Sequence, residues 1–335
     1  MTFKSRSVFT ITLTCILLIS SGCIKKKKIW IYTSVYPEVI EEMKAPLAAA
    51  VSGVEIEWYQ SGSENVATKL NAELAAGKAK ADIIMTSDPF WYFELKKSGK
   101  LMTYPSANAK KIPLAFQDPD SAFNCVRLPV MVIGYNSQAF QAEEVPKSWK
   151  DFLDPKWKGK LSMPSPLEAG TSLTSVALIS KLYGWDFFRD LRKQEILASG
   201  GNEAVITRIE TRERPVGMVL LENILKAQAK GSPVRPIYPS DGVIPISSPI
   251  AIMQDSENPE IAKKIYEWLL TSEAQHAIIN SGMYSLMPGV APPKGARAFF
   301  GDVDKILMAW SPQLLEQLYG ERGEIKAKFS ELVLH

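Results

Sequence analysis

Trp58-Tyr59-Gln60-Ser61-Gly62-Ser63-Glu64-Asn65 is the stretch where one structural period gives way to another. Before it, Val54-Glu55-Ile56-Glu57-Trp58 alternates apolar and polar residues, the two-residue period of a strand. After it, Val66, Leu70 and Leu74 recur at i, i+4 and i+8, so a helix with one apolar face opens at Ser63. Ser61 or Ser63 is expected to cap its first turn. A strand that turns straight into a helix aims the first helical amides, and the positive end of the helix dipole, at whatever lies in front. An anion or a polar oxygen suits that place, and Gly62 lets it approach the backbone closely. The same residues serve equally as a plain cap, so the neighbouring turns decide the matter.

Those turns repeat the design. Ile29-Trp30-Ile31-Tyr32 is a short apolar run followed by Thr33-Ser34, and Pro37 opens a helical pattern with Val39, Ile40, Met43 and Leu47 on one face. A third strand, Asp82-Ile83-Ile84-Met85, follows the second helix. Strand and helix in alternation argue a parallel sheet covered by helices. Ligands of such sheets sit beyond the carboxyl ends of the strands, and here those ends carry Thr33-Ser34, Gln60-Ser61-Gly62-Ser63 and Thr86-Ser87-Asp88. Three hydroxyl-bearing turns therefore share one rim. An apolar run over residues 128–135 and the segment 149–155 begin what reads as another domain. Its residues 165–172 lead into a helix carrying Leu173, Val176, Ala177 and Ile179, and Thr171-Ser172 after Gly170 echo Ser61-Gly62-Ser63. Gly200-Gly201-Asn202 opens a further helix with Val205, Ile206 and Ile209. A strand over residues 216–220 then ends at Leu221-Glu222-Asn223, an apolar run reaches Met253, and one long helix is expected from Pro259 to about Ile279.

At 335 residues the chain suits two domains, and 46% hydrophobic with 22% charged residues places it among globular proteins. Lys4 and Arg6 precede an apolar stretch, residues 8–19, that is too short to span a bilayer but fits a secretory signal. It ends Ser20-Ser21-Gly22-Cys23, which resembles a bacterial lipobox, with Ser20 where that motif usually has Leu. Residues 1–22 are thus expected as the signal peptide and 23–28 as lipid anchor and tether, Cys23 being acylated after cleavage. A signal cut nearby without lipidation is the alternative. The formal charge of +3 misleads, because Lys4 and Arg6 leave with the signal and Lys25, Lys26, Lys27 and Lys28 belong to the tether. The body that remains is net acidic and offers no footprint for nucleic acid. The lysine run either touches anionic lipid head groups or is a solvated spacer. Once Cys15 leaves and Cys23 is acylated, Cys125 stands alone and no disulfide forms. The sequence has no Gly-x-Ser-x-Gly, His-Glu-x-x-His or Gly-x-x-x-x-Gly-Lys-[Ser/Thr] motif, and only His276 and His335 as imidazoles. Glu143-Glu144 lie in a polar loop, so no catalytic residue and no cofactor is expected.

Several phrases, taken together and in order, resemble bacterial extracellular solute-binding proteins of ABC importers, in the branch of ferric-ion, phosphonate and sugar-phosphate binders. They are Tyr32-Thr33-Ser34, Ser61-Gly62-Ser63-Glu64 with Leu70 and Glu73, Ala81-Asp82-Ile83-Ile84, residues 149–160, Gly170-Thr171, Tyr238-Pro239 with Asp241-Gly242, and Asn258-Pro259-Glu260-Ile261-Ala262. The resemblance runs from about residue 28 to 290. It implies an α/β chain of the type 2 periplasmic-binding fold: two lobes of mixed sheets covered by helices, joined by crossing strands that act as a hinge. The first lobe is expected to hold 29–126 and 247–300, the second 127–246 and 301–335. It also implies an exported monomer on the periplasmic side of the envelope, held to the membrane by Cys23 and partnered by a permease.

The ferric members of this branch use a His near the first strand turn, a carboxylate after the third strand and adjacent tyrosines at a later strand end. This chain has Val35-Tyr36, Ser87-Asp88 and Leu221-Glu222-Asn223-Ile224 at those places. Without the tyrosine pair and the imidazole, too few anionic ligands remain for a hard trivalent ion, so no metal site is expected. Hydroxyls and helix-start amides suit phosphate, phosphonate or carboxylate oxygens, since neutral donors bring no counter-charge with them. Ser34, Ser61, Gly62, Ser63, Ser87, Thr171, Ser172 and Asn202 are the expected anion-facing residues, with Glu222 and Asn223 for hydroxyl or amine groups on the same molecule. Glu222 reads alternatively as a surface carboxylate. Tyr36, Trp91 and Tyr92 either wall the cleft or belong to the core. The expected ligand is a small phosphorylated metabolite, a sugar phosphate or phosphonate. Ferric ion or a ferric chelate is the alternative cargo, and a sensing lobe for a membrane signalling protein the alternative role.

Overall fold

The computed structural model describes Met1 and residues 26–299 and 311–334. The signal stretch with Cys15 and Cys23, residues 300–310 and His335 lie outside the described residues.

Two sheets organise the chain. The first is built from β1 (Lys27–Thr33), β2 (Val54–Gln60), β3 (Ile83–Met85), β4 (Asn124–Arg127) and β11 (Ser248–Ile252), in the order β2-β1-β3-β11-β4. β1 pairs in parallel with β2 and β3, while β11 runs antiparallel to β3 and β4, so the sheet is mixed. The second holds β5 (Val130–Asn136), β6 (Leu161–Met163), β7 (Leu197–Ala198), β8 (Val216–Leu220), β9 (Val234–Ile237) and β10 (Ile244–Pro245), ordered β10-β5-β8-β6-β7 with β9 also on β5. The chain passes from the first sheet to the second between Arg127 and Val130 and returns between Pro245 and Ser248. The crossings are joined where Ile246 N donates to Pro129 O (2.9 Å), and Leu128 exchanges backbone bonds with Tyr284 beside them.

Helices cover both sheets: α1 (Pro37–Ala50), α2 (Ser63–Ala75), α3 (Pro89–Lys97), α8 (Pro259–Leu269) and α9 (Ser272–Asn280) on the first lobe, and α4 (Gly170–Tyr183), α5 (Asp186–Lys193), α6 (Asn202–Glu210) and α7 (Leu221–Ala229) on the second. α1 starts at Pro37 as expected and buries Val39, Ile40, Met43 and Leu47. The single long helix expected from Pro259 is two helices. α8 ends at Leu269, and Thr271 starts a new one by accepting from Ala274 N through its side chain. α10 (Pro312–Tyr319) packs on α3 of the first lobe, whereas α11 (Arg322–Phe329) packs on α4 of the second. The C-terminal helices thus touch both lobes. Trp91 and Tyr92 are core residues, 1% and 0% exposed, and Tyr92 OH donates to Pro249 O across the first sheet.

Candidate functional site

A cleft of about 460 Å³ lies between the lobes, at the carboxyl ends of β1, β3 and β8. Four helices begin on it: α2 at Gly62-Ser63, α4 at Gly170-Thr171, α6 at Asn202 and α7 beyond Leu220. No side chain caps the first turn of any of the four. Apart from Ser172 N, which donates to Ala169 O (3.0 Å), the leading amides of these helices are free of side-chain caps, the arrangement that suits an anion. The capping expected from Ser61 or Ser63 is therefore corrected. Gly62 holds the N-cap position, Ser61 Oγ accepts from Asn65 Nδ2 (3.1 Å), and Ser63 Oγ accepts from Ser87 N (3.2 Å).

Of the residues expected at the site, Ser34, Gly62, Ser63, Ser87, Thr171, Asn202, Glu222 and Asn223 line this cleft together. Ser61 is not among its walls. Nor is Ser172, which is fully buried and donates through Oγ to Pro164 O (2.6 Å). One residue along a helix turns a side chain by about 100°, so Thr171 and Ser172 cannot both face the same ligand. Asn202 positions its neighbours: Nδ2 donates to Thr171 Oγ1 (3.1 Å) and Oδ1 accepts from Leu220 N (3.3 Å). Tyr36 walls the cleft, its hydroxyl 3.4 Å from Asn223 Oδ1 on the facing lobe.

Arg127, at the end of β4 where the chain leaves the first lobe, is the residue that sequence reasoning missed. Only 2% of it is exposed. Nη2 donates to Ser87 Oγ (3.0 Å) and Ser34 Oγ (3.3 Å), Nη1 lies 3.1 Å from Met283 Sδ, and Nε has no partner. To the neutral donors expected from the sequence the cleft adds a buried cation. Burial lowers its proton affinity, with Tyr36 and Glu222 opposing, but a guanidinium stays charged in proteins. Its signal in the sequence was an arginine inside an otherwise apolar run, Cys125-Val126-Arg127-Leu128-Pro129-Val130.

Glu222 is 2% exposed, not the surface carboxylate that was the alternative, and its Oε2 has no partner. Burial pushes its carboxyl up to about 8, with Arg127 opposing, so near neutral pH it mostly keeps its proton. The inner wall therefore carries one fixed positive charge and a neutral acid able to donate or accept. Burial also holds the Tyr36 phenol well above its ordinary value. The remaining acids on the lining, Glu168 and Glu203, are exposed at the rim.

The lobes stand in contact around this space. Gly170 approaches Ser87 and Asp88 so closely that a Cβ there would lie 3.0 Å from Ser87 O. Gly282, at φ +90°, meets Glu222 in the same way, with a Cβ 3.0 Å from the Glu222 Cα. Lys226 of α7 pairs with Glu38 of α1, a further tie between the lobes.

Comparison with known proteins matches residues 78–307 to the sequence pattern of bacterial extracellular solute-binding proteins. A protein of Haemophilus influenzae without an assigned function is 23% identical over 289 residues, 83% of each chain. A Salmonella paratyphi A protein, provisionally named a 2-aminoethylphosphonate-binding periplasmic protein, is 24% identical over 67% of each. Among solved structures, iron-bound HitA from Pseudomonas aeruginosa superposes with a TM-score of 0.79 at 19% identity, covering 91% of this chain and 99% of that one. The periplasmic binding protein AfuA from Actinobacillus pleuropneumoniae, with fructose-6-phosphate bound, gives 0.79 at 21% identity, covering 92% and 99%. These likenesses establish the two-lobed binding-protein fold.

Proposed function

Since the chain belongs to the bacterial extracellular solute-binding protein family, we propose that it captures a small phosphorylated or phosphonate anion outside the inner membrane and delivers it to an ABC permease. One observation carries this reading: the buried Arg127 guanidinium stands among four helix starts without side-chain caps. Backbone amides and a guanidinium together suit a tetrahedral oxyanion. Glu222 and Asn223, at the start of α7, would take hydroxyl or amine groups at the other end of the ligand. The ligands named for the Salmonella relative and for AfuA, an aminophosphonate and a sugar phosphate, both have that form.

Direct capture of ferric ion has less support. Tyr36 is the one phenol on the cleft lining, and no group of three or more His, Cys, Asp or Glu placed to hold a metal occurs among the described residues. A sensor lobe for a membrane signalling protein would use the same cleft, and uptake of radiolabelled ligand with the cognate permease separates the two roles. We propose further that Cys23 carries a lipid that keeps the protein at the membrane.

The test is a thermal-shift screen of the mature chain against sugar phosphates, phosphonates, inorganic phosphate and ferric citrate. Ligand at about a thousand times its dissociation constant adds about 4 kcal/mol of stability, a shift of several degrees. A shift with ferric citrate alone would replace this reading with the iron one.

A further inference from the structure

The two turns that present Ser63 and Ser87 to the cleft each carry an acid directly behind it, Glu64 and Asp88. Asp88 is 1% exposed and uses Oδ1 to cap α3, accepting from Phe90 N and Trp91 N. Glu64 is about one-fifth exposed at its side chain. Two carboxylates so placed oppose an anion at Ser63 and Ser87. The opposing charge is supplied from the far end of the chain. Arg322 Nη2 lies 2.7 Å from Asp88 Oδ2 and 3.0 Å from Glu64 Oε1, Arg322 Nε donates to Asp88 Oδ2 (3.1 Å), and Lys326 Nζ lies 3.0 Å from Glu64 Oε2. Burial raises the Asp88 carboxyl, and the Arg322 guanidinium opposes that rise. Asp88 and Glu64 in turn hold Arg322 above its ordinary value despite its own burial.

The helix that carries Arg322 and Lys326 is seated on the other lobe. Glu321 pairs with Lys181 of α4 (3.1 Å), the Phe329 ring packs on Phe188 of α5 (5.5 Å between centroids), and Lys328 Nζ sits over the Trp185 ring. The contact that Gly170 makes with Ser87 and Asp88 lies at the same junction.

We propose that Arg322 is a positioning residue for ligand capture: it ties the C-terminal helix of the second lobe to both ligand-facing turns of the first, and cancels the two charges behind the anion seat. Its effect on affinity rests on the anion reading above, whereas its tie between the lobes does not. Arg322 never touches the ligand. It fixes Ser63 and Ser87 through their neighbours.

The experiment compares wild type, Arg322→Gln, Arg322→Lys, Asp88→Asn and the Arg322→Gln/Asp88→Asn double variant, all as the mature chain. Calorimetry with 2-aminoethylphosphonate, fructose 6-phosphate and inorganic phosphate measures affinity, and small-angle scattering without ligand measures lobe opening. Arg322→Gln is expected to weaken the probe that wild type binds by about tenfold or more, because it leaves an uncompensated charge near the anion. Asp88→Asn, which keeps the cap, is expected to recover most of that loss in the double variant. A merely structural role for Arg322 would show as a loss and recovery of the ligand-free melting temperature, with the affinity of the folded chain unchanged. Arg322→Lys is expected to fall between wild type and Arg322→Gln, and it takes the latter's place if that variant does not fold. Without ligand, Arg322→Gln is expected to have a larger radius of gyration than wild type. An unchanged dissociation constant, or a loss that Asp88→Asn does not relieve, overturns the proposal. If wild type binds none of the three anions the proposed function fails instead, and an unchanged radius of gyration then overturns the tie as well.

Discussion

The Arg127 guanidinium donates to the Ser87 hydroxyl at 3.0 Å, and that hydroxyl in turn accepts from Ser248 Oγ at 2.9 Å. The last residue of β4, one from the turn after β3 and one from the returning strand β11 therefore form a single polar chain that meets the cleft at Arg127 and Ser87. Charge-assisted hydrogen bonds contribute about 1.5–3 kcal/mol each. Arg127→Met keeps the length of the side chain and removes the charge, so anion binding is expected to weaken by about a hundredfold. Calorimetry with the ligand identified by the thermal screen checks this, and an unchanged dissociation constant would remove Arg127 from the site.

Ser63 and Thr171 begin helices on opposite lobes, and each hydroxyl oxygen already accepts a protein bond, from Ser87 N and Asn202 Nδ2. Each O–H is thereby oriented, and its proton remains for the ligand. Ser63→Ala and Thr171→Ala are each expected to cost about tenfold to a hundredfold in affinity. Both losses belong together, since capture uses both lobes. If only one variant loses affinity, the ligand sits on one lobe alone.

Glu222 links stability to pH. Its carboxyl is raised from an ordinary 4.5 to about 8, so between those values the folded chain holds a proton that the unfolded chain has released. Stability contributed by this group is full below about 4.5 and is lost as pH rises toward about 8. Glu222→Gln removes the dependence. The variant is expected to gain on wild type between pH 5 and pH 8.5, by a few kcal/mol at about 1.4 kcal/mol per pH unit. Melting curves of both proteins across that range measure it, and parallel curves would mean that Glu222 ionises normally.

Cys23→Ser is expected to move the protein from the membrane fraction to the soluble exported fraction. The lysines at 25–28 are screened at moderate salt and do not hold it alone. Fractionation of cells expressing each form decides the point, and retention of the serine variant would argue for another anchor.

The first sheet and its turns were legible because their signals are local. An alternating strand that stops at Gln60 and a helix face that starts at Ser63 lie within a few residues of one another. What escaped depends on contacts far along the chain. Arg127 looks like a strand residue until folding brings Ser34 and Ser87 to it, and Asp88 looks like a ligand-facing acid until Arg322 arrives from 234 residues away. Glu222 could not be assigned because its burial arises only in the folded chain, where Gly282 of the other lobe packs against its backbone and Cβ. The split between α8 and α9 was written locally, in Leu270-Thr271-Ser272, but the apolar period runs through it unbroken enough to hide the cap.

β11 is the last strand of the first sheet to be made, yet it lies inside that sheet, between β3 and β4. A chain emerging through an export channel and complete to Pro245 has every strand of the second sheet. Of the first it has β2-β1-β3 and a separate β4, with an open slot where Ile250 and Ile252 belong. The second sheet, continuous in sequence, is thus free to form first, while the first sheet waits on long-range pairing, which is the slow kind. The order of emergence and the order of folding run in opposite senses. A chain truncated after Pro245 is accordingly expected to protect only fragments from residues 130–245 in limited proteolysis, and equal protection of residues 27–127 would show that the early lobe closes without its central strand.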